Sequence, residues 1–222
     1  MTGLSIDYPS FDAYMAKALN SATRRKLRKK FQAAALTSPI EMSVLSDVTA
    51  IIDEVYPLYL QVYDRSKLHF EKLTPSFFCG LGRLMPDKVR FFVWRQNERV
   101  VAFTLCMSEG DTIYTEYIGL DYPVALDLHL YHYAVRDMIS WAISQGYKWL
   151  RSSGLNYDPK LHLRHLLDPT DLYVRHISLI ANLVLKWILP FIEPTRYDPI
   201  LKKFPNYSEL WGSSGSTART PL

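Results

Sequence analysis

Residues 112–160 read TIYTEYIGLDYPVALDLHLYHYAVRDMISWAISQGYKWLRSSGLNYDPK, and they determine the predicted topology. Alternation of side-chain character predicts a strand at 112–120, an amphipathic helix follows at 126–145, and 147–152 predicts a second strand parallel to the first. A crossover of this kind leaves a cleft at the carboxyl ends of the strands, where ligands tend to bind. The polar motif Gly154–Lys160 falls at the mouth of that cleft.

The segments around this stretch complete a mixed sheet. Three strand-like runs joined by short turns predict an antiparallel meander at 89–95, 99–107 and 112–120. Further strands are predicted at 40–45 and 172–176. Because the meander is followed by a helix and a parallel strand, the predicted fold class is α/β, a single domain with a mixed sheet and helices on both faces.

The other helices are predicted from their caps and apolar faces. Ser10 caps a first helix, Ser21 or Thr23 caps a second, and Asp47 opens a long helix that Pro57 bends. Two shorter helices are also predicted, one from Thr74-Pro75 to about Met85 and one from Lys160 to about Leu167.

The composition is that of a globular protein. The chain has 222 residues, of which 48% are apolar and 22% charged, so it can bury a sizeable core. Its two cysteines, Cys79 and Cys106, are too few for a disulfide framework and indicate a reducing setting. The first residues lack the basic and apolar regions of a signal peptide. We therefore expect a cytoplasmic protein.

Residues 177–192 form an apolar segment of ambiguous role. They are fewer than the roughly 20 residues that a membrane span needs. Ser178, Asn182 and Lys186 draw one polar stripe, and Pro190 ends the helix. The first interpretation is a helix packed on the domain, and the alternative is a helix at a membrane interface.

Four segments are predicted along the chain. They are N-terminal helices with a basic run at 1–36, the core at 37–176, a C-terminal helix and extension at 177–211, and a disordered tail at 212–222.

One short run carries a concentrated positive charge. The chain has 26 basic and 22 acidic residues, a net charge of +4, and six of the basic residues lie within Arg24–Lys30. Because neighbouring cations on a helix repel one another, this run favours an anionic partner over a merely solvated face. Arg24, Arg25 and Arg28 are the predicted phosphate ligands. Candidate partners are CoA phosphates, a nucleic acid such as tRNA, and an anionic membrane surface.

Several motifs together resemble one family. They are Asn20–Arg28, Tyr117–Asp121 (YIGLD), Trp141–Tyr147 (WAISQGY), Gly154–Lys160 (GLNYDPK) and Leu167–His176. The order of elements is that of the GNAT acyltransferase fold. The motifs resemble its FemAB-like branch, which includes proteins labelled peptidoglycan- or cellulose-biosynthesis acetyltransferases, and the resemblance covers roughly residues 11–176.

The resemblance implies an acyltransferase with a small-molecule donor and acceptor, the donor being acyl-CoA or acetyl-CoA. GNAT enzymes hold the CoA pyrophosphate on a glycine-rich turn after the fourth strand. Here residues 120–127, LDYPVALD, have no glycine and two carboxylates, which argues against that mode of binding. Fem-type aminoacyl transferases pair two such lobes and this chain has room for one, which argues against an aminoacyl-tRNA donor.

Glu116 is the predicted catalytic base. It alternates with Thr115 and Tyr117 on the third meander strand and can point into the cleft. Apolar and aromatic neighbours would raise its pKa, which suits a carboxylate that accepts a proton from an attacking amine. The alternative is a cross-strand ion pair with Arg95 or Arg99.

Tyr157 and Lys160 are predicted to take part in the same chemistry. They lie three residues apart at the start of a helix, so both can face one site. The lysine could bind a phosphate or carboxylate, and the tyrosine hydroxyl could donate a proton; the alternative is a surface lysine and a packing tyrosine. Tyr117, Asn156 and Tyr173 are the predicted substrate-binding residues.

No metal site is predicted. His129 and His132, and likewise His162 and His165, are spaced to share a helix face, but neither pair has the further ligands that zinc usually takes. The sequence therefore favours an acyltransferase that moves an acyl or aminoacyl group from a phosphate-bearing donor to an amine or hydroxyl. The alternative is a non-catalytic module that binds nucleic acid or an anionic membrane surface through the basic helix.

Overall fold

The computed structural model describes residues 1–35, 39–66, 71–154, 156–171, 173–192 and 197–211. The chain divides into two compact units: a larger one of Leu4–Ser153, and a smaller one in which Met1–Gly3 join the residues from Gly154 onward. The predicted segment boundaries at 36, 176 and 211 stay predictions. The predicted disordered tail, 212–222, lies outside the described residues.

The described strands are β1 (Thr2–Ser5), β2 (Ile40–Leu45), β3 (Val89–Gln96), β4 (Arg99–Glu109), β5 (Thr112–Leu120), β6 (Trp149–Ser152) and β7 (Leu166–Leu167). The described helices are α1 (Phe11–Ala18), α2 (Ser21–Ala35), α3 (Ile52–Arg65), α4 (Pro75–Leu84), α5 (Tyr122–Ala125), α6 (Leu130–Ser144), α7 (Tyr157–His162), α8 (Leu179–Ile192) and α9 (Tyr207–Trp211). Short 3₁₀ turns lie at Thr49–Ile51 and Leu201–Lys203.

The sheet of the larger unit is mixed. Strands β2, β3, β4 and β5 pair antiparallel in that order, and β6 pairs parallel with β5. The end of β1 follows β6, where the Ile6 N–H donates to the Lys148 carbonyl at 2.8 Å. The predicted meander, the helix that follows it and the parallel strand are all confirmed, and so is the α/β fold class.

Helices cover both faces of this sheet because β3 and β4 are apolar on both faces. Phe91 and Val93 of β3 belong to a core cluster with Val55, Leu58 and Tyr59 of α3. Alternate residues of β3 turn to the other face, and there the Phe92 ring packs against Trp141 of α6 at 5.0 Å, while the Trp94 indole N–H donates to Asp137 of α6 at 3.0 Å. The prediction of helices on both faces is confirmed.

The turns carry the residues that their geometry requires. Asn97 and Glu98 join β3 to β4 with φ of 49° and 63°, the positive values that a two-residue hairpin turn of matching twist needs. Gly146 ends α6 with φ of 82°, as the sequence predicts. Thr74 accepts the Phe77 N–H at the start of α4, which confirms the predicted cap.

The strand prediction is wrong at both ends of the chain. No strand is predicted near the N-terminus, yet Thr2 and Gly3 of β1 pair antiparallel with Leu167 and Leu166 of β7. Conversely, residues 173–176 of the predicted last strand have no regular structure. Leu167 takes the strand position because the Asn206 side chain bonds both its N–H and its carbonyl, at 3.0 and 2.8 Å. Consequently α7 ends at His162, before the predicted end near Leu167.

Two helix starts also differ from their prediction. The helix predicted from residue 126 begins at Leu130, because His129 has a φ of 48° and separates it from the short α5. The cap of α2 is Asn20, which accepts the Thr23 N–H at 2.8 Å, whereas Ser21 or Thr23 was expected. Asn20 is the better cap because its side-chain oxygen reaches the third N–H of the helix.

Helix α8 does not bury its most apolar face. Leu179, Ile180 and Trp187 are 83%, 77% and 70% exposed. The expectation of a helix packed through this face is therefore wrong, since the half-buried positions are Ala181, Leu185 and Leu189. Within the described residues, none of the helices combines the length and the apolar character that crossing a bilayer requires.

Gly119 allows α3 to lie close to the sheet. A Cβ at this position would lie 2.8 Å from the Leu58 backbone carbonyl carbon in α3 and would overlap the Phe103 ring of β4. Gly80, within α4, has nothing within 4 Å of the corresponding point. The two glycines therefore offer a matched comparison of crowded and open positions.

We expect Gly119→Ala to lower the free energy of unfolding by about 1–3 kcal/mol, because the added methyl group forces α3 or Phe103 to move. Gly80→Ala should instead raise it by about 0.5–1 kcal/mol through helix propensity. Urea unfolding of both variants measures the difference. Equal effects of the two substitutions would contradict the close approach of α3 to β5.

Candidate functional site

Glu116 lies in a β-bulge of the central sheet. Leu105 of β4 pairs with Tyr117 of β5, but the next residue, Cys106, pairs with Thr115. Glu116 is therefore the extra residue of β5 and has no direct partner in β4. Bulges bend a strand and redirect its side chains, and they are over-represented next to active sites.

The bulge coincides with the end of the neighbouring strand. Parallel pairing of β5 with β6 runs from Thr112 opposite Trp149 to Thr115 opposite Ser152. Among the described residues, no strand pairs with that side of β5 from Glu116 to Leu120. Alternate N–H and C=O groups of this stretch point away from β4 and line an open edge.

The Glu116 carboxylate is half-buried, and none of the described residues donates a hydrogen bond to it. Burial raises its pKa above the usual value for a glutamate. The alternative of a cross-strand ion pair is wrong for both arginines considered. Arg95 makes two 2.9 Å bonds to Glu54, and Arg99 Nη2 lies 2.7 Å from Asp121 Oδ2.

Tyr117 points to the opposite face of the sheet. Its hydroxyl donates a short hydrogen bond to the Glu71 carboxylate, and its ring packs edge-on against Tyr59 of α3 at 6.1 Å. Burial, and then the Glu71 carboxylate, raise the pKa of Tyr117. Its role in binding substrate stays a prediction, although its hydroxyl already has a partner.

Tyr157 lies at the first position of α7 in the smaller unit. Its ring packs edge-on against Phe204 at 6.0 Å, and its hydroxyl lies 3.0 Å from the point where a side chain on Gly154 would begin. Burial raises its pKa, with a further contribution from Asp198. The absence of a side chain at Gly154 therefore leaves room for the hydroxyl.

Lys160 is buried in the same helix, with 7% of its surface exposed. Burial lowers the pKa of its ammonium group to about 8, so an appreciable fraction is neutral near physiological pH. His165 lies beside it, where its backbone N–H donates to the Lys160 carbonyl at 3.0 Å. Burial and then the Lys160 charge lower the pKa of His165 to about 3, so its ring stays neutral.

The predicted residues divide between the two units. Glu116 and Tyr117 lie in the larger unit, whereas Asn156, Tyr157 and Lys160 lie in the smaller. That the two groups share one cleft stays a prediction. Asn156 is exposed and has a φ of 53°, and the remaining candidate, Tyr173, is 88% exposed and lies outside any regular element.

Sequence reasoning missed His165, which it considered only as half of a histidine pair. The signal was its position five residues after Lys160, but burial of both side chains depends on contacts that a sequence does not display. In the described part of the chain, no group of three or more His, Cys, Asp or Glu side chains is arranged to hold a metal.

The predicted phosphate ligands lie on α2. Arg25 and Arg28 are exposed, whereas Arg24 is half-buried, and its Nη1 donates to the Ala16 and Leu19 carbonyls that end α1. Arg24 therefore has a structural partner. A hollow of about 410 Å³ runs along the helix and is lined by Ser21, Arg24, Arg25, Arg28, Lys29 and Gln32. Because α2 contains no acidic residue, the cations of this hollow face no carboxylate from their own helix.

The turn after β5 is occupied by protein groups. The Tyr122 N–H donates to the Gln61 side chain at 3.0 Å, and the N–H groups of Val124 and Ala125 donate to the Asp121 carbonyl. The Asp121 side chain is 1% exposed and is held by its ion pair with Arg99, which is a close charge contact and not a well-directed hydrogen bond. Few free donors remain here for a pyrophosphate.

Comparison with known proteins gives a family match. The sequence profile of the FemAB-like family, described as peptidoglycan biosynthesis/recognition, matches residues 4–162. No curated protein matches the chain.

Several solved structures are similar to the chain at low identity. One is the C-terminal domain of a putative lysylphosphatidylglycerol synthetase from Agrobacterium fabrum, at 14% identity over 67% of this chain and 46% of that one, with a TM-score of 0.44. Another is L-PGS from Bacillus licheniformis, at 15% identity over 66% and 45%, with a TM-score of 0.45. A third is a ribosomal-protein-alanine N-acetyltransferase from Brucella melitensis biovar Abortus, at 13% identity over 64% and 100%, with a TM-score of 0.40.

The alignments with the first two structures span less than half of the length of those proteins. The recognition made from the sequence is confirmed at the level of the family, and the GNAT-like order of elements is confirmed by the strands and helices described above. Since the profile matches residues 4–162, well over half of the chain, the protein belongs to the FemAB-like family.

Proposed function

We propose that this protein is a GNAT-type acyltransferase, which moves an acyl or aminoacyl group from a phosphate-bearing donor to an amine or hydroxyl acceptor. The observation that carries the proposal is the position of Glu116. Its half-buried carboxylate has no hydrogen-bond donor among the described residues, and it lies in a bulge at the point where β6 stops pairing with β5. Membership of the FemAB-like family supports the same class of reaction.

Glu116 would act as the general base. Its raised pKa makes it a stronger base than an exposed glutamate, while the carboxylate still ionises. It accepts the proton of the acceptor amine or hydroxyl as the new bond forms to the acyl carbon. Backbone N–H groups on the open edge of β5 would donate to the oxygen on which charge develops.

Collapse of the tetrahedral intermediate breaks the bond from the acyl carbon to the leaving group, which must then take a proton. Tyr157 or Lys160 would supply that proton, and the pKa of about 8 suits Lys160 to this role near neutral pH. This part of the proposal requires the smaller unit to present both side chains to the cleft that contains Glu116. Asn156, Tyr173 and Tyr117 would contact the substrates there.

The donor would be held through its phosphates by α2. Arg25 and Arg28 are exposed along the hollow, and a guanidinium binds phosphate through a planar pair of donors. Arg24 would contribute charge, while its Nη1 remains bonded to α1. Acyl-CoA or acetyl-CoA is the proposed donor class, and the bound turn at Tyr122 means that its phosphates would not use the usual glycine-rich site.

We expect one acyl donor to raise the Tm of the wild-type protein in a thermal-shift comparison of acetyl-CoA, long-chain acyl-CoA, free CoA and tRNA. Arg25→Ala with Arg28→Ala should abolish that shift, because the phosphates lose two cationic ligands. Glu116→Gln should keep the shift and lower acyl transfer about 10²–10⁴-fold, because only the base is removed.

Arg90→Ala serves as the matched arginine control, since this side chain bonds backbone carbonyls of its own hairpin region and lies outside α2. A tRNA affinity that falls steeply with salt and survives Glu116→Gln, with no acyl donor giving a shift, would replace the enzyme with a nucleic-acid-binding module. Full transfer activity in Glu116→Gln would remove the proposed base.

Glu116 should also make stability depend on pH. Because burial raises its pKa in the folded state, the folded protein loses stability relative to the unfolded chain as pH rises from the ordinary value of 4.5 through the raised value. We expect Glu116→Gln to raise the free energy of unfolding at pH 7, and this gain should vanish below pH 4.5. Urea unfolding at a series of pH values measures the gain.

Glu98→Gln, at an exposed turn of the same sheet, is the matched control and should show no gain at pH 7. A Glu116→Gln gain that is the same at every pH would contradict a buried, unpaired carboxylate.

A further inference from the structure

Helix α8 presents an apolar face that none of the described residues covers. The large side chains exposed along it are Leu179, Ile180, Leu183, Val184, Trp187, Ile188 and Phe191. The residues of α8 that are half-buried lie on another side, at Ala181, Asn182, Leu185 and Leu189. Contiguous apolar patches of this kind mark protein or membrane interaction sites.

The helix is held in shape by its own start. Ser178 Oγ accepts the Ala181 N–H at 3.4 Å, which caps the helix. Asn182 bonds the His176 backbone twice, accepting from its N–H and donating to its carbonyl, both at 2.6 Å. Two residues of the predicted polar stripe therefore stabilise the helix N-terminus, and they do not interrupt the apolar face.

Charge distinguishes between the surfaces that could cover this face. The described segment 173–192 contains Arg175, Lys186 and no acidic residue, and both cations are exposed. Two copies of the face would bring like charges together, whereas an anionic surface would attract them. Lysine beside an apolar face can extend its ammonium group to lipid headgroups while its stem stays among apolar groups.

The length of the helix sets how it would meet a bilayer. Fourteen residues at the rise of an α-helix span about 21 Å, short of the roughly 30 Å of a hydrocarbon core. The helix would therefore lie along the interface. Trp187 and Phe191 suit that depth, because aromatic rings are favoured where apolar chains meet headgroups.

We propose that α8 docks this protein on an anionic lipid surface, with the face that contains Leu183, Trp187 and Phe191 inserted at the interface and with Lys186 and Arg175 at the headgroups. This proposal is independent of the acyl-transfer chemistry. It requires only the exposure, charge and length of one helix.

Vesicle flotation with the full chain tests the proposal. Wild-type protein should float with phosphatidylcholine vesicles that contain phosphatidylglycerol, and much less with phosphatidylcholine alone. Trp187→Glu and Leu183→Glu should each lower the affinity about tenfold or more, because a charge replaces a large inserted apolar group. Lys186→Glu should lower it by roughly fivefold or more, with the loss reduced at high salt.

Leu84→Glu is the matched control, because Leu84 is an 84% exposed leucine at the end of α4 and should leave flotation unchanged. Since every substituted side chain is exposed, an unchanged Tm verifies that the variants fold. Absence of wild-type flotation would overturn the proposal.

Two other occupants have their own outcomes. A dimer seen by light scattering in the absence of vesicles, and dissociated by Trp187→Glu, would assign the face to a second copy and overturn the proposal. Flotation that is lost in Arg25→Glu with Arg28→Glu but kept in Trp187→Glu would assign lipid binding to α2, and it would overturn the role of α8 equally.

Discussion

The double burial of β4 is the constraint on which the larger unit depends. Every residue from Val100 to Cys106 is buried, so this strand has no solvent face and must be covered on both sides. Phe103 and Leu105 fill the core beneath α3, while Cys106 lies 3.6 Å from the Met138 sulfur of α6. A shift of one residue would exchange the two sets of side chains, so the register with β3 and β5 is strongly fixed.

The bulge at Glu116 follows from that fixed register. On one side of it Leu105 is held opposite Tyr117, and on the other Cys106 is held opposite Thr115, so the extra residue cannot be absorbed by sliding the strand. The carboxylate therefore stays half-buried without a partner among the described residues, although this position raises its pKa and costs stability. Elsewhere in the same sheet a carboxylate with comparable burial has a cation, as Asp121 has Arg99. Local costs of this kind are typical of functional sites and are sustained by the surrounding core.

The sequence predicts the long, periodic elements well and the short ones badly. The meander, α3 and α6 have enough residues for their period to appear, whereas β1 and β7 have four and two residues and exist because distant segments pair. Asn206, whose side chain bonds Leu167, carries no signal of that role in its own neighbourhood. For the site, alternation located Glu116 but could not reveal the bulge, which is a property of two strands. The burial of Lys160 likewise depends on packing within the smaller unit.

Electrostatics favours different binding surfaces from those of a glycine-rich GNAT turn. At that turn the Tyr122 N–H is bonded to Gln61, and the carboxylate of Asp121 lies within the same few residues, so an incoming phosphate would meet a negative charge and few free donors. On α2 the reverse holds, because cations line the hollow and their helix has no acidic residue. Phosphate binding requires donors that are not already satisfied and no nearby carboxylate. Within the larger unit, α2 meets both requirements, which is why a donor held there is consistent with loss of the glycine-rich turn.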